Sequence, residues 1–282
     1  MMFQAKQASF DIATALPMFI LWIFIVSIST YSIYKSKLAR KYKYILYLIS
    51  IIIEGLVLGA IPNAVLPIQQ ILMTISKAGP IVQILPMIII VILLLASTLL
   101  IGRMFCGFAC PLGALQELIS NIKVKSSIKK QKEVKYYYKI PQKYSKIIRW
   151  VYFALIIVTI IFLNFALLQY ANPFLGFNLI RAASLVVILF PLISLILIII
   201  LSIFIYRPWC QLFCPFGATA SLLSRFSRYK YRRTDDCTQC ELCEKICPTD
   251  EAYEDSSKSE CYYCGRCVEI CPQDAIKFGK KR

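Results

Sequence analysis

The residues able to do chemistry in this 282-residue chain are its twelve cysteines, and it contains no histidine. The cysteines fall into four local groups: Cys106 with Cys110, Cys210 with Cys214, Cys237 to Cys247, and Cys261 to Cys271. Even cysteine counts serve disulfides in secreted proteins, but gaps of two or three residues suit thiolates that share a metal. Without histidine, bis-histidine haem, Rieske-type ligation and most imidazole proton chemistry are excluded.

The last eight cysteines spell one pattern twice. Cys237-x2-Cys240-x2-Cys243-x3-Cys247-Pro248 is followed by Cys261-x2-Cys264-x2-Cys267-x3-Cys271-Pro272. This resembles the bacterial ferredoxin run, in which the fourth cysteine, beyond a turn, ligates the other cluster. The expected sets are Cys237, Cys240, Cys243 and Cys271 for one [4Fe–4S] cluster, and Cys261, Cys264, Cys267 and Cys247 for a second. A structural zinc site would need only one pair of such gaps, and two full copies argue against it. A 49-residue tail from position 234 is too small for a self-sufficient apolar core, so its clusters are expected to serve as one. The acidic loop between the two runs, "TDEAYEDSSKSE", is either a docking loop or a plain solvated one.

The first four cysteines also form a duplicated signature. "RMFCGFACPLGAL" at 103–115 reappears as "RPWCQLFCPFGAT" at 207–219, so Arg103, Cys106, Cys110, Pro111, Gly113 and Ala114 match Arg207, Cys210, Cys214, Pro215, Gly217 and Ala218. Two copies running in the same direction imply a pseudo-two-fold axis along a membrane normal. Proline suits the first helical position, which makes the preceding cysteine the N-cap. A thiol there, beside an arginine, is expected to have a lowered pKa. Three readings stand side by side: a shared four-thiolate metal or Fe–S site, two dithiols, or cysteines that merely pack as small apolar groups.

The elements that position these groups are apolar. Hydrophobic residues make up 59% of the chain and the mean hydropathy is +0.66. A span needs about 20 apolar residues to cross about 30 Å of hydrocarbon. Five segments meet that need, at about 16–34, 44–63, 81–102, 147–168 and 182–206, while 64–76 reads as an interfacial or re-entrant piece. The fold class expected is an α-helical integral membrane bundle of about five spans with an internal pseudo-repeat, followed by an α+β 2[4Fe–4S] ferredoxin-like domain. Its parts are a transmembrane region, 1–206, a second motif with a basic juxtamembrane linker, 207–233, and the ferredoxin domain, 234–282. No cleavable signal peptide is evident.

Net charge is +17, and the basic residues sit beside apolar runs, which points to membrane orientation and away from nucleic acid. Lys35, Lys37, Arg40, Lys41 and Lys43 fill the first short loop, and nine lysines with Arg149 fill 123–149. The N-terminus is therefore expected outside and the ferredoxin domain in the cytoplasm, with both C-x3-C-P motifs on the cytoplasmic side.

This combination of motifs resembles the NapH/MauN-type membrane ferredoxins, related to the membrane half of NosR. The resemblance covers roughly residues 81–282. It implies single-electron transfer between the quinone pool or a cytoplasmic donor and partner redox proteins, such as other subunits of an oxidoreductase complex or a soluble ferredoxin. Lipids and quinone are further expected ligands; haem is not. A metalloenzyme assembly factor and a membrane redox sensor are the rival readings. Glu54, in mid-span, is a candidate proton acceptor for quinol or the partner of a neighbouring tyrosine or arginine. The topology is testable by thiol labelling of intact cells. Lys77→Cys and Asn172→Cys should label from outside and Lys130→Cys should not; labelling at 130 reverses the orientation.

Overall fold

The computed structural model describes residues 12–34, 40–59, 64–129, 138–180 and 185–280. The ends of two expected spans (60–63 and 182–184), Lys35, Lys37 and the basic run 130–137 lie outside them. The helices are α1 (Ile12–Tyr34), α2 (Arg40–Ile49), α3 (Val65–Ser76), α4 (Ile81–Ile101), α5 (Pro111–Lys129), α6 (Gln142–Leu163), α7 (Leu167–Ala171), α8 (Leu185–Phe204) and α9 (Pro215–Ser224). Beyond α9 come strand β1 (Tyr229–Arg233), two one-turn helices, α10 (Leu242–Ile246) and α11 (Arg266–Ile270), and strand β2 (Ile276–Lys280).

Sequence punctuation explains the boundaries. Asn164 closes α6 in the left-handed conformation that ends helices, at φ 49°, and Gly102 closes α4 at φ +65° and ψ −150°, a backbone open to glycine. Pro80 and Pro141 precede α4 and α6. Among the described residues two stretches are long and apolar enough to cross a membrane, Ile84–Ile101 and Gln142–Leu163. The apolar stretches Ile23–Tyr34, Val65–Ser76 and Ile188–Phe204 are shorter. Helices therefore occupy all five segments where spans are expected, but length and composition single out two. Apolar side chains of α4, α6 and α8 such as Leu100, Phe162, Phe190 and Ile193 point outward, a larger exposed apolar surface than a soluble monomer carries.

The duplicated halves exchange partners. Helix α5, which follows the first motif, packs on α8, the apolar helix of the second copy, and α9 packs on α4 of the first. This is the arrangement a two-fold relation produces, and it brings the two motifs together.

The tail does not stand apart on a linker. Tyr229–Arg233, expected within the basic linker, is β1, which pairs antiparallel with β2 and sets Tyr231 opposite Phe278. Tyr231 is buried among Tyr263 and Phe278, with ring centroids 5.5 to 5.8 Å apart, and its neighbour Lys230 is buried too, donating to the Arg225 and Ser257 carbonyls. A two-stranded sheet is marginal alone, so this aromatic cluster is what fastens the chain termini of the tail. Phe278→Ala should destabilise the tail by about 3–5 kcal/mol, the usual cost of emptying a buried phenyl site. Limited trypsin cleavage at Arg233 and Lys277 should then accelerate, with α4 and α6 still protected.

Candidate metal centres

Each C-x3-C-P motif is built the same way. After its long helix, the chain turns through one π-helical stretch, Phe105–Ala109 in the first copy and Trp209–Phe213 in the second. Such single π turns concentrate at functional sites. The hydrogen bonds repeat position by position: Gly107 N–H to Arg103 carbonyl at 3.0 Å and Gln211 N–H to Arg207 carbonyl at 3.0 Å. Cys110 N–H bonds Phe105 carbonyl at 3.0 Å, and Cys214 N–H bonds Trp209 carbonyl at 2.9 Å. Cys110 and Cys214 are extended, at ψ 117° and 113°, and Pro111 and Pro215 start the next helix. Cys214 is an N-cap whose sulfur accepts the Gly217 N–H at 3.3 Å.

The glycines of the motifs make room for the opposite arginines. A Cβ on Gly113 would lie 3.3 Å from Arg207 Nη1 and would strike the Cys106 carbonyl; one on Gly217 would lie 3.2 Å from Arg103 Nη2 and 3.1 Å from the Cys210 carbonyl. Arg207 Nη1 donates to the Cys106 carbonyl at 2.6 Å. The second half's arginine thus clamps the first half's cysteine loop, while the Cys210 carbonyl is held by Arg149 of α6, whose Nη1 donates to it at 3.2 Å.

Cys106, Cys110, Cys210 and Cys214 are all buried. The lowering expected for Cys110 and Cys214 is not what the fold produces. Burial first, then Cys210 and Cys106, push the Cys214 thiol up to about 12, with the Gly217 N–H and Arg103 offsetting only part. Burial likewise lifts Cys110, with Cys210 and Cys106 next. Desolvation outweighs the helix end here. Four mutually repelling buried thiols become thiolates only with a cation to hold them, and a coordinating metal deprotonates them outright. Gln116 Nε2, 3.6 Å from Cys210 Sγ, adds a donor suited to a thiolate. This donor set fits a four-thiolate centre.

The tail cysteines line two separate recesses. Cys237, Cys240, Cys243 and Cys271 line one. Cys247, Cys261, Cys264 and Cys267 line the other, a cavity of about 410 Å³. Each recess thus combines three cysteines of one run with the fourth of the other. Backbone donors serve the two crossing sulfurs alike: Glu251 N–H to Cys247 Sγ and Ala275 N–H to Cys271 Sγ, both 3.3 Å. These donor sets fit [4Fe–4S] clusters. Among the described residues no three cysteine or carboxylate side chains close on a single metal ion.

Several functional neighbours escape the sequence pattern. Glu117 on α5 receives Arg207 Nε at 2.9 Å and Arg266 Nη2 at 2.6 Å. Glu260, in the tail, receives Arg149 at 2.6 Å and also pairs with Arg103. Burial alone would raise both carboxyls, but Arg266 and Arg207 hold Glu117 at about 2, and Arg103 and Arg149 do the same for Glu260. The position matching Glu117 in the second copy, 104 residues on, is Ser221. Ser221 Oγ donates to Glu260 at 2.5 Å, so the tail supplies the carboxylate that the second copy lacks. Similarly Gly102 stands where the second copy has Tyr206, and a Cβ there would strike the Tyr263 hydroxyl. The only legible signal was this mismatch within an otherwise matched repeat.

Glu54 is fully buried, and Ser50 Oγ donates to its Oε2 at 2.7 Å. Its Oε1 has no hydrogen-bond partner among the described residues, so the carboxylate's observed partner is a serine rather than a tyrosine or arginine. The adjacent Gly55 faces Pro111 of the first motif, since a Cβ there would lie 3.4 Å from it.

Comparison with known proteins matches a 4Fe-4S binding domain model at residues 83–129 and 187–234, one copy on each C-x3-C-P half, and an LdpA Fe-S cluster-binding domain model at 234–281. The chain is similar to the uncharacterized protein MJ0750 of Methanocaldococcus jannaschii, 31% identical over 60% of this chain and 67% of that protein. It is also similar to the putative electron transport protein YccM of Escherichia coli, 30% identical over 57% of this chain and 45% of YccM. The methylamine utilization ferredoxin-type protein MauN of Paracoccus denitrificans is 25% identical over 52% of this chain and 48% of its own length. The aligned stretch thus spans about half of the two relatives whose names state a role. No solved structure matches the chain.

The two carboxylates offer a direct test of how the tail is held. Glu260→Gln leaves Arg103 and Arg149 buried without a countercharge, a loss of about 3–5 kcal/mol. Ser221→Glu alone crowds a second carboxylate beside Glu260 and should also loosen the tail. The double variant should recover part of the loss, because the charge is then restored on α9. Hydrogen exchange at 258–264 reads all three; additive losses would rule out a shared site.

Proposed function

We propose that this chain, which belongs to one family with MJ0750, is a multi-span membrane protein relaying single electrons between two [4Fe–4S] clusters in its tail and a third centre held by Cys106, Cys110, Cys210 and Cys214. The observation that carries the reading is the pair of tail recesses, each lined by three cysteines of one run and the fourth of the other. The names of the ferredoxin-type and electron-transport relatives support it. When bound, the clusters supply one-electron redox chemistry.

The chain's own residues do the rest. Glu117 and Glu260 fix the tail against both motifs, so the centres keep constant separations. Cys240 is exposed, which puts the edge of the first recess where a soluble redox partner can reach it. Five helices cross the cytoplasmic membrane in this reading, with the tail in the cytoplasm, its apolar belts toward lipid and the basic residues toward headgroups. Glu54, with its one unpartnered oxygen beneath the first motif, is the group to take a proton when quinol is the donor.

The reading predicts iron beyond the roughly eight atoms that two cubanes hold, with matching acid-labile sulfide. Changing Cys106, Cys110, Cys210 and Cys214 to serine should return the count to that figure and leave the tail signals in redox-poised EPR intact. Cys271→Ser should perturb the cluster held by Cys237, Cys240 and Cys243 while the one held by Cys261, Cys264 and Cys267 keeps its spectrum. An effect confined to the latter would refute the crossed ligation, and a wild type with only tail iron and four alkylatable motif thiols would reduce the motifs to dithiols.

A further inference from the structure

Tyr262 is the residue at which the tail and the paired motifs meet. It directly follows Cys261, which lines the second recess. Its carbonyl oxygen lies against Gly107, the residue after Cys106, so closely that a Cβ on Gly107 would strike it. Its ring lies between the two motif arginines, 4.3 Å from Arg103 Cζ and 4.7 Å from Arg207 Cζ. Arg207 in turn donates to the Cys106 carbonyl at 2.6 Å. The ring is 2% exposed, and its hydroxyl has no hydrogen-bond partner among the described residues.

We infer that Tyr262 is the bridge by which single electrons cross between the tail's second recess and the Cys106, Cys110, Cys210 and Cys214 centre, with Arg103 and Arg207 as positioning residues that fix its ring and keep it reduced. The inference rests on the relay proposed above and adds its route. Tunnelling weakens steeply across empty space and far less along covalent bonds and packed atoms. From Cys261 the path is one peptide link to Tyr262, then along its side chain to the ring and from the ring to the Arg207 guanidinium bonded to the Cys106 carbonyl; the Tyr262 carbonyl against Gly107 is backbone and holds the chain in place.

The ring serves as packed matter along that path and not as a stopping place. In the transfer one electron leaves the tail centre and one arrives at the motif centre; no bond forms or breaks, and the phenol keeps its proton. Oxidising the tyrosine itself would require its proton to leave, and no acceptor bonds the hydroxyl among the described residues. Two guanidiniums over the ring are attracted to its electron-rich faces and oppose any loss of an electron from it.

The test uses the full chain, reconstituted with iron and sulfide in lipid nanodiscs. Iron counts and EPR of the wild type against the four-serine variant first establish the motif centre; its absence sinks the relay, not the route. With the centre present, flash reduction of the tail followed by the motif-centre signal measures the crossing rate. Tyr262→Phe should keep the wild-type rate. Tyr262→Leu, or Tyr262→Met should leucine fail to fold, should slow it by an order of magnitude or more, with every midpoint potential and EPR line shape unchanged. A wild-type rate in the leucine or methionine variant overturns the bridge, as does a phenylalanine variant slowed equally. Shifted potentials in the slow variant would mark a structural role and overturn it too. So would a tyrosyl radical signal that Tyr262→Phe abolishes.

Discussion

Four guanidiniums buried away from water have to be neutralised, and the rest of this architecture follows from how that is done. Arg103, Arg149, Arg207 and Arg266 are each 2% exposed or less. An isolated buried ion costs several kcal/mol even after relaxation. The fold answers with two arginine–glutamate–arginine groups, Arg207 and Arg266 on Glu117, and Arg103 and Arg149 on Glu260. Each joins the tail to the helical part: one through the tail's arginine, the other through its glutamate. Neither can form unless the tail is seated, so the tail's position is dictated by charge as much as by apolar packing. Buried ion pairs of this kind are weak sources of net stability but exacting about geometry, so they set where the tail's cysteine runs lie relative to the paired motifs.

The internal repeat explains why the tail binds where it does. A two-fold pair of identical halves would present two equal faces to a single tail. The halves differ at the tail's contact points: Glu117 against Ser221, and Tyr206 against Gly102. Ser221 leaves a site for Glu260, and Gly102 leaves space for Tyr263. Where the halves remain alike, at the cysteines, prolines and second glycines, they act on each other instead of on the tail.

Much of this was legible in the residues. Cysteine spacing exposed the duplicated motif, and its likeness to the bacterial ferredoxin run grouped the tail cysteines into the two sets that line the two recesses. The proline after each second motif cysteine placed the start of α5 and α9. What escaped was non-local. Nothing near Glu117, Glu260 or Tyr262 in the chain marks them, since the arginines they meet lie 55 to 159 residues away. The basic stretch 229–233 read as a linker because its charges dominate the composition, whereas its pairing with β2, with Tyr231 inward, is that of a strand. The thiol pKa argument failed for a physical reason: it counted the helix end and the arginine but not the desolvation of four sulfurs together.

The same electrostatics bears on the motif centre. Each triad has two cations and one anion, so each carries one surplus positive charge into a region of low dielectric. Arg103 and Arg207 are the members nearest the thiols; Arg207 bonds the Cys106 carbonyl and Arg149 the Cys210 carbonyl. Two surplus charges beside four thiolates offset half of the ligands' negative charge and favour adding an electron there. Net charge and hydrogen bonds to sulfur are the levers that set cluster potentials, and the second tail recess is itself basic, with Arg225, Lys230, Arg232, Arg233, Lys258 and Arg266 against Glu251 and Glu254. Arg266 lines that recess while Arg207 bonds the Cys106 carbonyl, and both meet on Glu117, so one carboxylate ties the positive charge beside the tail thiols to the positive charge beside the paired motifs.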